Sequence, residues 1–233
     1  MTGSLCETCA HKKEVVSAKG SRFLLCRLSQ SDRRFPKYPP QPVAQCVGYT
    51  KLIDDKLNSP TDLRPIVQAI LSEYSLPLDG IHGVSHWGRV LENGLRLCET
   101  TGAKVEVVRL FAVFHDSKRV NDSSDPDHGQ RGADFADSLR GRLFHLPDGD
   151  FKLLYRACAG HTHELTHPDP TIQTCWDSDR LDLGRVGITP HPSRLCTAQA
   201  KTRDMILWAD GRASFGVVPS FVLEEWGVEV EGR

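Results

Sequence analysis

The feature that most constrains this chain is an apolar run, Val105-Glu-Val-Val-Arg-Leu-Phe-Ala-Val-Phe114, closed by the doublet His115-Asp116. A run this greasy belongs in a core, and two polar side chains at its end are costly to bury unless they are paired or hold a cation. His86 lies upstream in Ser85-His86-Trp-Gly-Arg89-Val90, and Asp179 lies downstream in Asp177-Ser-Asp179-Arg180-Leu181. These four metal-competent side chains are the central candidates for the chain's chemistry.

Around the doublet the pattern is almost entirely helical. Leu63, Ile66, Val67, Ile70 and Leu71 form one buried stripe, predicting a helix over 63–74 capped by Thr61 or Asp62. Further helices are predicted over about 85–98, stopping before Gly102, and over about 103–116. After the polar loop 116–127, helices are expected through Ala133, Phe135, Ala136 and Leu139, from Pro147-Asp148 to about Gly160, from Pro170 through Leu183, and from Leu195 to Trp208. Residues 216–233 have no clear period and read as a tail or short strands. The expected architecture is mainly α: a helical domain over 62–215, a linker over 51–61, and a small module over 1–50. No apolar run reaches the roughly 20 residues that span a bilayer, so a cytoplasmic protein without membrane contact is expected.

The first 50 residues differ in kind. They carry eight Lys/Arg against three acids, a balance of +5 in a chain of net charge -1. They also hold Cys6-x-x-Cys9, Cys26 and Cys46. A segment this short buries too little apolar surface to fold well unaided, and four thiolates can complete a tetrahedral zinc shell. Structural zinc is the preferred reading, with an iron-sulfur cluster, a redox dithiol or plain buried thiols as alternatives. The proline-rich segment 36–42 should wrap back towards Cys46 in extended form. Lys12, Lys13, Arg22, Arg33 and Arg34, interleaved with Phe23, Phe35 and Tyr38, would permit nucleic-acid contact. A solvated basic face is the favoured reading.

The order of motifs in the helical part resembles the HD superfamily of metal-dependent phosphohydrolases, whose signature is H…HD…D. His86-Trp-Gly-Arg89-Val90 matches H-x-x-R-V, His115-Asp116 is the doublet, and Ser178-Asp179-Arg180-Leu181 stands where A-D-R-L is common. His128-Gly-Gln-Arg-Gly132 resembles the H-x-x-x-G motif of cyclic-dinucleotide phosphodiesterases, and Gly160-His161-Thr-His163-Glu164 their H-H-E stretch. Thr162 splits that pair and no Gly-Tyr-Pro motif follows, which speaks against a cyclic-dinucleotide substrate.

The resemblance implies an HD-type helical bundle in which His86, His115, Asp116 and Asp179 hold a divalent transition metal (Mn, Co, Ni, Zn or Fe). His128 and His161 would complete a second position, with Asp116 bridging. Such an ion would acidify water for attack on phosphorus. Asp116, Lys118 and Arg119 are the catalytic candidates, and Arg89, Arg131 and Arg180 the candidates for binding substrate. The expected substrate is a nucleotide or another small phosphate ester, since the Asp-rich loop 121–127 disfavours a polyanionic polymer. Two other functions fit: a mixed-valent di-iron oxygenase using His86, His115, Asp116, His128, His161 and Asp179, or a non-catalytic metal-stabilised binding or sensor protein.

Overall fold

The computed structural model describes residues 4–17, 19–50 and 60–230. The chain divides into two compact units, Met1–Ser59 and Pro60–Arg233. The expected linker at 51–61 lies outside the described residues except for its last two positions.

In the first unit, β1 (Lys12–Val16) pairs antiparallel with β2 (Arg22–Cys26), with Lys12 opposite Cys26. Cys6 and Cys9 sit on and just after a 3-10 turn, Leu5–Thr8, and line a small cavity with Lys12 of β1 and Leu24, Leu25 and Cys26 of β2. The proline-rich segment does run back beside Cys26: the Cys26 N–H donates to the Lys37 carbonyl, and the Leu5 N–H to the Val43 carbonyl. Among the described residues of this unit, only Cys9 and Leu24 are buried apolar side chains. Part of the basic charge is neutralised internally, since Arg22 pairs with Glu7 and Glu14, and Arg34 with Asp32.

The second unit is a helical bundle. Its helices are α1 (Arg64–Leu71), α2 (Val84–Thr101), α3 (Val105–Phe114), α4 (His128–Leu139), α5 (Asp148–Gly160), α6 (Pro170–Arg180), α7 (Arg203–Ser214) and α8 (Phe221–Glu224). The apolar run becomes α3, the central helix, with every residue from Val107 to Phe114 except Arg109 buried. Asp62 accepts the Arg64 N–H at the start of α1. Gly102, at φ 68°, stops α2 in the left-handed conformation that glycine adopts without a Cβ penalty.

Polar contacts tie the bundle around α3. The Asn93 side chain donates to the Ser178 carbonyl, joining α2 to α6, and Trp176 Nε1 donates to the Ala157 carbonyl, joining α6 to α5. Two expectations fail. Residues 195–202 are not helical: Asp177 accepts from the Cys196 and Thr197 N–H groups and the Thr197 hydroxyl, holding this stretch as a loop, and α7 starts only after the Thr202 cap. Nor do the described residues of the expected tail at 216–233, which end at 230, hang free: α8 brings Val222 and Trp226 into the main core, with Val228 beside them. A lone helical turn surrounded by glycine and acids carries too short a period to be read.

Gly132 is set by the close approach of α4 to the end of α3. A Cβ placed there would lie 2.3 Å from the Phe114 carbonyl oxygen, a backbone atom that cannot move aside by changing rotamer. Gly132→Ala is therefore expected to destabilise the protein by about 1–3 kcal/mol, although alanine is favoured over glycine within helices by about 1 kcal/mol. Urea unfolding checks this; an unchanged or raised midpoint would contradict the packing account.

Candidate metal centre

Each candidate ligand arrives at the end of a helix or in its first turns. His86 sits in the first turn of α2, His115 caps the C-terminus of α3 with Asp116 following it, and His128 opens α4. His161 caps the C-terminus of α5, and Asp179 lies at the end of α6. The helix ends therefore converge on one place. All but Asp179 are buried, and the Asp179 side chain is 17% exposed.

The donor atoms form two groups that share Asp116. On one side, His86 Nε2 and His115 Nε2 are 3.0 Å apart and lie 3.5 and 3.7 Å from Asp116 Oδ2. Asp179 Oδ1 closes this side at 3.5 Å from His86 Nε2 and 3.9 Å from His115 Nε2. On the other, His128 Nε2 and His161 Nε2 are 2.9 Å apart and lie 3.0 and 3.8 Å from Asp116 Oδ1. The two carboxylate oxygens thus face different histidine pairs.

The remaining imidazole nitrogens fix which lone pairs point inward. His86 Nδ1–H donates to Asp182 Oδ2 at 2.7 Å, and His115 Nδ1–H lies 3.1 Å from the Ala112 carbonyl. His128 Nδ1–H donates to the Asp125 carbonyl, and His161 Nδ1–H to the Cys158 carbonyl at 2.7 Å. A neutral imidazole has one donor and one acceptor nitrogen, so all four Nε2 atoms present lone pairs. Lone pairs facing each other and a carboxylate at 3 Å repel unless a cation sits among them. Buried imidazole and carboxylate donors suit Mn, Fe, Co, Ni or Zn, so the residues present fit a divalent metal on either side of Asp116.

Electrostatics keep His115 and Asp116 in ligating form. Burial holds the His115 imidazole at a pKa of about 3, against the pull of Asp116 and Asp179, so it stays neutral. Burial opposes the charge on Asp116, yet its carboxyl is held well below its ordinary range among the surrounding imidazoles, with the His82 N–H bond at 2.8 Å on Oδ2.

Three residues of this centre are absent from the sequence reading of the site. Asp182 accepts from His86 and takes both a 2.7 Å and a 3.0 Å bond from Arg89, orienting His86 from behind. His82 Nδ1–H donates to Asp116 Oδ2 at 2.8 Å. Arg185 reaches Asp179, with Nη2 3.7 Å from Oδ1. The i,i+4 spacing of His82 and His86 and the three-residue step from Asp179 to Asp182 were the available signals.

Of the expected cations, Arg119 alone lies against the ligand set, with Nη1 3.6 Å from Asp116 Oδ1 and 3.2 Å from His128 Nε2. Lys118 turns away to pair with Glu73 and sits 3.9 Å above the Phe135 ring. Arg89 is a buried partner of Asp182 that also donates to the Val217 carbonyl, with Nε, Nη1 and Nη2 all engaged. Arg131 braces the 118–125 loop through Asp125 and the Lys118 carbonyl. Arg180 lines the cleft, but it stacks on Trp176 and spends its donors on the Glu164, Leu165 and Arg194 carbonyls. Lys118, Arg89 and Arg131, each three residues after a candidate ligand, are therefore placed away from the donor set, a correction to the expectation: an i+3 offset does not reveal which side of a helix end a long side chain takes.

The cleft over the centre has a volume of about 260 Å³ and is lined by Asp116, His128, His161, Asp179, Arg119 and Arg185, among others. Thr162, the residue that splits the two histidines, places its hydroxyl 3.3 Å from His128 Nε2, while His163 is directed to the Pro126 carbonyl instead.

No family model and no curated protein matches the chain. Among solved structures it is similar to a predicted HD superfamily hydrolase from an uncultured Thermotogales bacterium, at a TM-score of 0.50 and 24% identity, over 69% of this chain and 90% of that one. The helical unit has the HD-type fold, and it holds a histidine-aspartate cluster that could bind a metal ion. Among the described residues, no helix is long and apolar enough to cross a membrane.

His115 also yields a pH dependence. Its imidazole is held at about 3 in the folded state, whereas an unfolded histidine titrates near 6.5. The unfolded chain takes up the proton first, so the stabilising contribution is complete above about pH 6.5 and is lost as pH falls towards 3, with a slope of up to about 1.4 kcal/mol per pH unit. The stability of metal-free protein should therefore fall less steeply between pH 6.5 and 4 in His115→Asn than in the parent. Parallel curves by urea unfolding would contradict the buried, neutral imidazole.

Proposed function

We propose that this chain is a metal-dependent phosphohydrolase acting on a small phosphate ester, a nucleotide among the candidates. The observation that carries the reading is the Asp116 carboxylate, whose two oxygens each face a separate pair of inward-pointing imidazole nitrogens. Bound there, a divalent ion supplies acidified water and polarises a phosphoryl oxygen. His86, His115, Asp116 and Asp179 would hold it on one side, and Asp116, His128 and His161 would hold a second. Asp182 and Arg89 keep His86 in the ligating tautomer, and Arg119 sets positive charge beside Asp116. The cleft of about 260 Å³ suits a small ester rather than a polymer.

Nucleotides and other phosphate esters, offered with manganese, cobalt, nickel, magnesium or iron, are expected to release phosphate. Asp116→Ala should lower the rate by at least about 100-fold while leaving the helical circular dichroism intact. The same two-sided ligand set also fits a di-iron oxygenase. Oxygen consumption by iron-loaded protein, without phosphate release from any ester, would favour that reading and sink the hydrolase.

We assign Cys6, Cys9, Cys26 and Cys46 to a structural zinc site in the first unit. All four are free thiols and line one cavity of about 490 Å³, in a unit whose buried apolar side chains are few. The supporting argument is energetic: so small a core needs a further source of folding free energy. The four thiols are not among the tight donor groups of the described residues, which are the two histidine-aspartate sets. Metal analysis of Cys46→Ser should show zinc lost relative to the parent, and chelation should expose the hairpin to protease before the helices. Zinc content unchanged by this substitution would contradict the assignment.

A further inference from the structure

Arg185 stands out among the cations of the cleft by what its guanidinium leaves unspent. It lies six residues beyond Asp179, in the 3-10 turn Leu183–Val186 that follows α6. Its Nε donates to the Ile81 carbonyl at 2.9 Å and its Nη1 to the Asp182 carbonyl at 3.0 Å, so the group is anchored at its rear edge. Among the described residues Nη2 has no hydrogen-bond acceptor; it faces Asp179 Oδ1 at 3.7 Å, the oxygen that lies 3.5 Å from His86 Nε2. The side chain is only 9% exposed, and it lines both the cleft over the centre and a neighbouring cavity of about 300 Å³.

The other two cleft arginines are differently employed. Arg180 gives both terminal nitrogens to backbone carbonyls. Arg119 donates through Nε and Nη2 to the Asn121 and Ser123 carbonyls, and its Nη1 is turned to His128. Arg185 therefore offers the cleft a fixed, largely desolvated positive edge with free N–H groups, next to Asp179. A guanidinium edge of this kind matches the oxygens of a tetrahedral oxyanion, and rigid anchoring removes most of the entropic cost of using it.

We infer that Arg185 binds the anionic group of the substrate, a phosphate monoester or orthophosphate, at the Asp179 side of the centre. The inference rests on the phosphohydrolase reading for its catalytic consequence, but the anion contact can be measured alone. It assigns to Arg185 the task that sequence reasoning distributed among Arg89, Arg131 and Arg180.

The test uses full-length, metal-loaded protein and the Arg185→Gln and Arg185→Lys variants, with metal content measured for each. Titration calorimetry with inorganic phosphate should show affinity falling at least about 10-fold in Arg185→Gln, with metal content unchanged. On an ester the parent hydrolyses, kcat/KM should fall by about 10²–10³-fold. Arg185→Lys, which keeps the charge but not the fork, should fall between parent and Arg185→Gln, and added guanidinium should restore part of the activity of a third variant, Arg185→Ala. Phosphate affinity and kcat/KM within twofold of the parent would overturn the inference while leaving the hydrolase reading in place. So would loss of metal from both variants, which would make Arg185 a support for Asp179. If the parent hydrolyses no ester, the hydrolase reading falls, and phosphate binding that depends on Arg185 still upholds the anion site. Absence of phosphate binding to the parent overturns it.

Discussion

The carboxylate of Asp116 is buried and faces five imidazoles: Oδ2 accepts from His82 and confronts His86 and His115, while Oδ1 confronts His128 and His161. Four converging lone pairs and two carboxylates in a low-dielectric interior favour positive charge among them, of which Arg119 beside Asp116 and Arg185 beside Asp179 supply some. The rest of the helical unit answers to this demand. α3 carries the doublet into the core, α2, α4, α5 and α6 each deliver one ligand at a terminus, and Gly132 lets α4 approach closely enough for His128 to reach.

Two of the histidines show how structural and chemical roles coexist. His128 contacts the Asp125 carbonyl beside its helix start, and His161 contacts the carbonyl of Cys158 in the last turn of α5. Each contact uses Nδ1 alone and thereby fixes the tautomer that leaves Nε2 free. The capping function is what aims the ligand. On the other side of Asp116, His86 relies instead on a charged relay, Arg89 to Asp182 to Nδ1. Burial opposes the charge on Asp182, and the bonds from His86 and Arg89 hold its carboxyl below the ordinary range. That carboxylate makes His86 the more strongly oriented ligand.

Much of this was legible in the residues. The apolar run, the ordered histidines and aspartates, and the glycine after α2 named the core helix, the residues that converge on one place and several helix ends, because each depends on local pattern or on an ordered motif. What could not be read depends on contacts between distant segments. Residues 195–202 look helical until Asp177 captures the backbone N–H groups of Cys196 and Thr197. Trp226 looks like part of a tail until α8 folds onto the bundle. Long cations were the least legible: Lys118 and Arg119 are neighbours, yet one faces Glu73 and Phe135 and the other faces Asp116 and His128. Arg185 carried no motif at all, and its place follows from the Ile81 and Asp182 carbonyls that anchor it.

The central claim is that Asp116 serves two cations, one through each oxygen. A crystal of the protein grown with manganese, with anomalous diffraction collected at the manganese edge, tests it most directly. Two peaks about 3.5–4 Å apart, on opposite sides of the Asp116 carboxylate, are the expected result, one bounded by His86, His115 and Asp179 and the other by His128 and His161. A single peak bound through one oxygen alone, or no peak at Asp116, would contradict the account.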